Sequence, residues 1–332
     1  MITGNRLEVH FLNVDHGDCT IIRHPDDNES PHGRISVIDI NDWKDRNESV
    51  AGLQYYLRRF LSSETQISDE DYARKYLNDP VEYLQNEVLK RNEEVWRFIS
   101  THPDMDHLSG IERLGTEVGF KVLLDTFHNK SLSYNDEWPT RFDPEDWMYY
   151  QSIRDGETDH KNIHPTRGTN VSHWGKDNIE IIHPSPAFVM QKNQEASDKS
   201  NPDYNNLSYV LKVKTEAGSV LLPGDIKEEG WKDVLEYCKD DLSDVRVLKA
   251  PHHGRQSSFY EPAVEAIDPD YVIISVGKKP DTDAHSDYRR VCADSTEVYS
   301  TRQHGRVKVT VEDGSLNVDL EVPNGIFTPK NW

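Results

Sequence analysis

Four side chains able to bind a divalent cation lie within six residues, at His102, Asp104, Asp106 and His107. Imidazole and carboxylate are both ligands of such ions. The cluster follows an apolar, strand-like run at 95–100. A loop at the C-terminal end of a strand turns alternate side chains toward one point. A helix-capping role accounts for Asp104 or Asp106, but for neither histidine. A metal site also needs ligands from elsewhere, and the chain holds matching pieces. Leu222-Pro-Gly-Asp225 closes a strand on Gly-Asp. Lys249-Ala-Pro-His252-His253-Gly254 closes another on paired histidines, and Asp39 stands near the tip of a third, 34–40. Each piece is ordinary alone. Four strands that each end in a candidate ligand or its support are not independent accidents.

Such groups need strands that end at one place. Residues 7–14 alternate apolar and polar, as a half-buried strand does. Asp15-His16-Gly17-Asp18 has turn chemistry, and 19–23 reads as the returning strand. Further strands are predicted at 179–182, 207–213, 219–222, 245–249, 271–276, 297–300, 307–311 and 316–320. Helical spacing marks 50–61, 69–90, 108–118 and 227–239. In 69–90 the stripe Tyr72, Tyr76, Leu77, Val81, Leu84, Val88 and Leu89 is that of a core-facing helix, divided at Pro80. Strands mixed with helices in both halves predict an α/β domain of sheets covered by helices. We read residues 1–332 as one domain with two insertions, a helical one at about 44–94 and an irregular one at about 129–178. The second is polar and rich in Trp, Asp and His.

Charge narrows the function. Lys and Arg number 38 against 59 Asp and Glu, a formal net charge of −21. Such a surface repels free nucleic acid at long range and favours solubility. Carboxylates are also ligands of hard cations. Cys19, Cys238 and Cys292 are scattered, odd in number and without a CxxC pair. That argues against a disulfide framework or a thiolate zinc site. Residues 1–6 carry no apolar signal core, and no apolar run approaches the ~20 residues of a membrane span. The expectation is a cytoplasmic protein with no membrane segment.

The motif His102-Pro-Asp-Met-Asp-His107 resembles the HxHxDH motif of the metallo-β-lactamase superfamily, with Asp104 in place of the second His. Asp39, Leu222-Pro-Gly-Asp225 and His252-His253-Gly254 fall in that superfamily's order. The His-x-Asp-x-Asp-His form, the opening at 9–14 and the pair Leu-Pro-Gly-Asp and Lys-Ala-Pro-His-His-Gly look like the branch containing the hydrolase domain of the ComEC competence proteins. The stretch from Asn205 to Leu211 matches that branch's Asn-rich strand entry. Ala284-His285, Tyr299-Ser-Thr301 and Gly305 match its C-terminal signature more loosely. The resemblance covers roughly 7–40, 95–126 and 203–320, and neither insertion. Two departures stand out. Asn205 and Asn206 occupy the region where two-zinc members have a His, as in the ComEC-like branch. Asp15-His16-Gly17-Asp18 replaces a Gly-rich turn.

The resemblance implies an αββα four-layer sandwich and two divalent ions. One would be held by His102 and Asp104, the other by Asp106, His107 and His252, with Asp225 bridging; His252 and His253 are interchangeable at this stage. Asp39 would orient a ligand His through its other ring nitrogen, and Asn205 would support the site. With Asp104 for His the first site is oxygen-rich, which favours a harder ion such as Mn²⁺, while Zn²⁺ also fits mixed His/Asp sites. Two such ions hold a hydroxide, positioned here by Asp106, and neutralise charge on a phosphoryl oxygen. His253 and His285 are the candidate acids for the leaving group. His16, His128, His160, His164 and His173 read as surface histidines.

The branch points to a phosphodiester substrate, hence a phosphodiesterase or nuclease. A protein partner docked on the helical insertion would supply the basic surface that −21 denies. Arg289, Arg290, Arg302, Arg306 and Lys308 are the nearest thing to a basic patch. Trp138, Trp147, Trp174, Tyr149 and Tyr150 would stack on bases, wall a cation site, or form the insertion's own core. The alternatives are an esterase of another class, of phosphorylcholine or lactone type, and a non-catalytic module on the same fold. The intact ligand set argues against the last.

Overall fold

The computed structural model describes residues 6–27, 30, 32–42, 69–139, 141–169, 174–200, 202–277 and 283–326. The helix expected at 50–61, most of the N-terminal half of the helical insertion, and His173 lie outside them.

Two sheets organise the chain. The larger contains β1 (Leu7–Phe11), β2 (Thr20–Arg23), β3 (Ile35–Ile38), β5 (Val95–Ile99), β7 (Phe120–Leu124), β8 (Lys161–Ile163), β15 (Val307–Glu312) and β16 (Ser315–Leu320). Their order is β16-β15-β1-β2-β3-β5-β7-β8. The smaller contains β9 (Ile179–His183), β10 (Val210–Thr215), β11 (Gly218–Leu222), β12 (Val245–Lys249), β13 (Tyr271–Ile274) and β14 (Glu297–Ser300), in the order β14-β13-β12-β11-β10-β9. A two-stranded ladder joins β4 (Ile40–Asn41) to β6 (Leu108–Ser109).

The ladders explain why distant ligands meet. β3, β5, β7 and β8 run parallel, as do β11, β12, β13 and β14. Parallel neighbours need a crossover connection. In the second sheet α1 (Glu228–Tyr237), α2 (Glu261–Ile267) and α3 (His285–Val291) supply it. Each crossover returns the chain to the same edge, so the C-terminal ends of β3 and β5 share one rim, and those of β11 and β12 another. Crevices at the carboxyl ends of such strands are where ligands bind in open α/β sheets.

Side chains from both sheets meet in one cluster that includes Val9, Phe11, Ile99, Leu211, Leu222 and Val247. A second unites Ile21, Val37, Phe98 and Leu123 of the larger sheet with Val81, Ile111 and Leu114. A third unites Leu221, Leu248 and Val272 with Trp231 and Val264. Strands buried on both faces account for near-continuous apolar runs such as Ile35-Ser-Val-Ile38.

The polar stretch expected to be irregular is structured. It holds a helix at Pro144–Arg154 and the edge strand β8. Trp147 and Tyr150 are fully buried in the second cluster, against which Trp138 and Tyr149 also pack. Trp174 is buried in the first. Trp147, Tyr150 and Trp174 are therefore core, while Trp138 and Tyr149 are half-buried against it. Four of the five residues of the expected basic patch, all but Arg289, are engaged within the chain. Arg302 pairs with Asp283, Arg290 with Glu261, Lys308 with Glu8, and Arg306 donates to Tyr83.

Candidate metal centre

The His102–His107 segment leaves β5 and makes a single 3-10 turn, Met105–His107, before β6. The helix expected over 108–118 begins only at Ile111. The irregular turn frees each candidate side chain to aim independently. His102 and His107 are buried, with ring centroids 4.2 Å apart.

Asp225 is the hub. Its Oδ2 lies 3.3 Å from His107 Nε2, 3.6 Å from His253 Nε2, 3.7 Å from His252 Nε2 and 3.8 Å from His102 Nε2. His253 Nε2 is also 3.4 Å from Asp106 Oδ2, and His102 Nε2 is 3.5 Å from Asp104 Oδ2. The paired histidines therefore divide. His253 faces Asp106 and His107, the place expected for His252, while His252 reaches Asp225 alone among the candidate carboxylates. The turn that separates them is costly: His252, His253 and Gly254 all have positive φ, 52°, 55° and 72°. A non-glycine residue held there costs roughly 1–3 kcal/mol.

The supports are equally specific. His107 Nδ1 meets Asp39 Oδ2 at 2.8 Å, and Asp39 is fixed by Thr101 N and Oγ1 at 2.7 and 2.8 Å. Asp39 interrupts the strand expected over 34–40 with φ 56°, which carries its carboxylate across to Thr101 and His107. Ser258 Oγ holds His252 Nδ1 at 3.0 Å. Lys130 Nζ donates to Asp104 Oδ1 at 2.5 Å. With its amide turned to donate, Asn205 Nδ2 reaches Asp104 Oδ2 at 3.3 Å and Asp203 Oδ1 at 3.0 Å.

Sequence reading missed Asp18. It forms a compact group with His107, Asp225 and His253, ligand atoms within 4.8 Å of one another. Its Oδ2 accepts from Lys249 Nζ at 2.5 Å and its Oδ1 lies 3.6 Å from His253 Nδ1. Neither Asp18 Oδ1 nor His253 Nδ1 has a hydrogen bond, so Asp18 joins His253 as a neighbouring candidate ligand and not as the anchor that Asp39 is for His107. Only its place in a turn-like tetrapeptide was visible. His16 and His128, expected at the surface, are buried. His285, by contrast, opens α3 among Arg289, Asp283 and Arg302, and none of the cluster distances involves it.

The donor set fits divalent cations. Nε2 of His102, His107 and His253, and Oδ1 of Asp225, are buried without a hydrogen bond. Such atoms are rare in native proteins unless an ion or water serves them. Burial pushes the His107 and His253 pKa values down, but Asp225, with Asp39 or Asp18, outweighs it. His107 is held well above the usual range and His253 rises to about 9. The Asp225 and Asp106 carboxyls, despite burial, are held well below theirs by the neighbouring imidazoles. Divalent cations would satisfy the same carboxylates.

No family model matches the chain. ComE operon protein 3 of Bacillus subtilis (strain 168) is 32% identical over 180 residues, 54% of this chain and 20% of that protein. The chain thus spans about a fifth of that relative's length. Among solved structures, Igni18, a metallo hydrolase from the archaeon Ignicoccus hospitalis, aligns with TM-score 0.46 and 13% identity over 92% of this chain and 99% of its own. CmlA, a diiron beta-hydroxylase from Streptomyces venezuelae, aligns with TM-score 0.46 and 12% identity over 93% of this chain and 55% of its own.

Proposed function

We propose that this protein is a metal-dependent hydrolase of phosphodiesters on an αββα sandwich. The observation that carries the reading is the convergence of four imidazole Nε2 atoms within 3.3 to 3.8 Å of the single oxygen Asp225 Oδ2. One ion would be held by His102, Asp104 and His252, the other by Asp106, His107 and His253, with Asp225 between them. A pair of Zn²⁺ or Mn²⁺ ions supplies an activated water and neutralises charge developing on a phosphoryl oxygen. The chain's own residues do the rest. Asp39 fixes the ring plane of His107, Ser258 fixes His252, and Lys130 with Asn205 fixes Asp104. The match of half the chain to ComE operon protein 3 agrees with the branch resemblance of the ligand motifs.

The test is metal analysis combined with a substrate panel of linear and plasmid DNA, RNA, bis-p-nitrophenyl phosphate and p-nitrophenyl phosphorylcholine, each with Mn²⁺ and Zn²⁺. Asp106→Ala and Asp225→Ala are expected to lose metal and activity together. A protein that carries no metal and keeps its activity in both variants would sink the reading.

A further inference from the structure

Arg255 follows directly on the left-handed His252–Gly254 turn. Its Nη2 donates to His16 Nε2 at 2.6 Å, and the His16 ring lies 4.9 Å from that of His253. An imidazole that accepts at Nε2 is neutral with its proton on Nδ1. The Arg255 backbone is pinned as well, by its N–H to His252 O at 3.0 Å and by a bridge to Asp283.

The guanidinium is otherwise unspent. Nε is buried with no hydrogen bond, and among the described residues no carboxylate pairs with it. Elsewhere the chain pairs its part-buried arginines readily. Arg34 and Arg97 share Asp177, Arg113 holds Asp42 and Asp79, and Arg154 holds Asp125. With 59 acidic residues available, an ordered arginine without one is positioned for an anion that the fold does not contain. The donors of the planar fork that His16 does not use suit the oxygens of a phosphate group.

We propose that Arg255, steered by His16, is the anion anchor of the metal centre and grips a phosphate oxygen pair of the substrate one imidazole away from His253. This rests on reading the centre as a phosphodiester hydrolase. It makes Arg255 a specificity-determining residue, favouring phosphorylated over neutral esters.

Inorganic phosphate is titrated calorimetrically into the wild type, Arg255→Gln, Arg255→Lys and His16→Gln, each with and without Mn²⁺. KM and kcat for bis-p-nitrophenyl phosphate and bound metal are measured alongside. Arg255→Gln should weaken phosphate binding and raise KM about tenfold or more, with metal content unchanged. Arg255→Lys should recover part of the affinity, and His16→Gln should lose part of it with Arg255 intact. Unchanged phosphate affinity in Arg255→Gln overturns the proposal, and so does loss of its metal, which would make Arg255 a support of the ligand turn. A wild type that hydrolyses no phosphodiester, yet loses phosphate binding in Arg255→Gln, keeps the anchor and removes the phosphodiesterase reading. A wild type that binds no phosphate in either condition removes the anchor.

Discussion

A carboxylate oxygen that faces four imidazole nitrogens at 3.3 to 3.8 Å is best satisfied when positive charge lies between it and them. The rings must then be held in one orientation, because a ligand that rotates loses the geometry. Asp39 does this for His107 through a 2.8 Å bond to Nδ1, the nitrogen turned away from Asp225. Asp39→Ala is expected to lower metal affinity by roughly 10–100-fold while the fold persists. A competitive chelator titration measures it, and wild-type affinity would mean that packing alone orients the ring. At this scale the sequence is legible where ligands crowd together. His102, Asp104, Asp106 and His107 reveal themselves because two histidines in six residues have no structural reason to be there. Asp18 does not reveal itself. Its partner Lys249 is 231 residues away, and Asp-His-Gly-Asp reads as a turn whether or not its last residue supports a metal ligand. Lys130 was hidden for the same reason, since nothing local ties an insertion lysine to Asp104.

The elements convert those residues into a site by ending strands at shared rims. β11 and β12 are parallel, so Asp225 and the His252–His253 turn leave the same edge. The turn itself is the strained part. Gly254 has φ 72°, and a Cβ there would stand 2.6 Å from Ile274 Cγ2. Gly254→Ala therefore combines left-handed strain with a clash against β13. We expect a loss of about 1–3 kcal/mol, read as a lower urea midpoint, together with weaker metal binding because His253 moves. A variant with unchanged midpoint and metal content would show that the turn is not held by the sheet behind it. Periodicity exposed the long strands and α1, since one buried face leaves a pattern. β12 and β14 fall at the bounds expected of them. β8 left none: it is a three-residue edge strand, Lys161-Asn-Ile163, with no fully buried side chain. The Pro144–Arg154 helix was obscured because its aromatic and acidic residues resemble a solvated loop until Trp147 and Tyr150 are seen inside the core.

Across the described residues an excess of acidic groups gives the buried arginines Arg23, Arg34, Arg97 and Arg302 each a carboxylate. Asp177 shows what such pairing does for the architecture. It takes Arg34 at 2.8 Å and also Arg97, tying the Trp174–Asp177 helix to β3 and β5. Asp177→Ala strands the buried Arg97 guanidinium and leaves Arg34 only Asp27, and should cost about 3–5 kcal/mol, measured by equilibrium urea unfolding; a loss below 1 kcal/mol would mean water replaces the carboxylate. His24 sits in the same network, with Nδ1 3.1 Å from Asp177 O and Nε2 2.8 Å from Ser36 Oγ. Burial pushes its pKa down to about 3, and Arg97 and Arg34 add to that against the attraction of Asp177. The unfolded chain protonates the same imidazole near ~6.5. Between those values the unfolded state binds more protons than the folded one, so stability falls as pH falls. The contribution of His24 is complete above ~6.5 and is lost progressively toward pH 3, at no more than about 1.4 kcal/mol per pH unit. Asp177, its carboxyl held below the usual range despite burial by His24 and the two arginines, adds its own loss only below the unfolded carboxyl value of ~3.9. The window from ~6.5 to ~4 therefore separates imidazoles from this carboxylate. In metal-free protein, His24→Gln should flatten the dependence of the urea midpoint on pH across that window, whatever it does to the midpoint at pH 7. An unaltered slope would show that His24 takes up its proton in the folded state as readily as in the unfolded one.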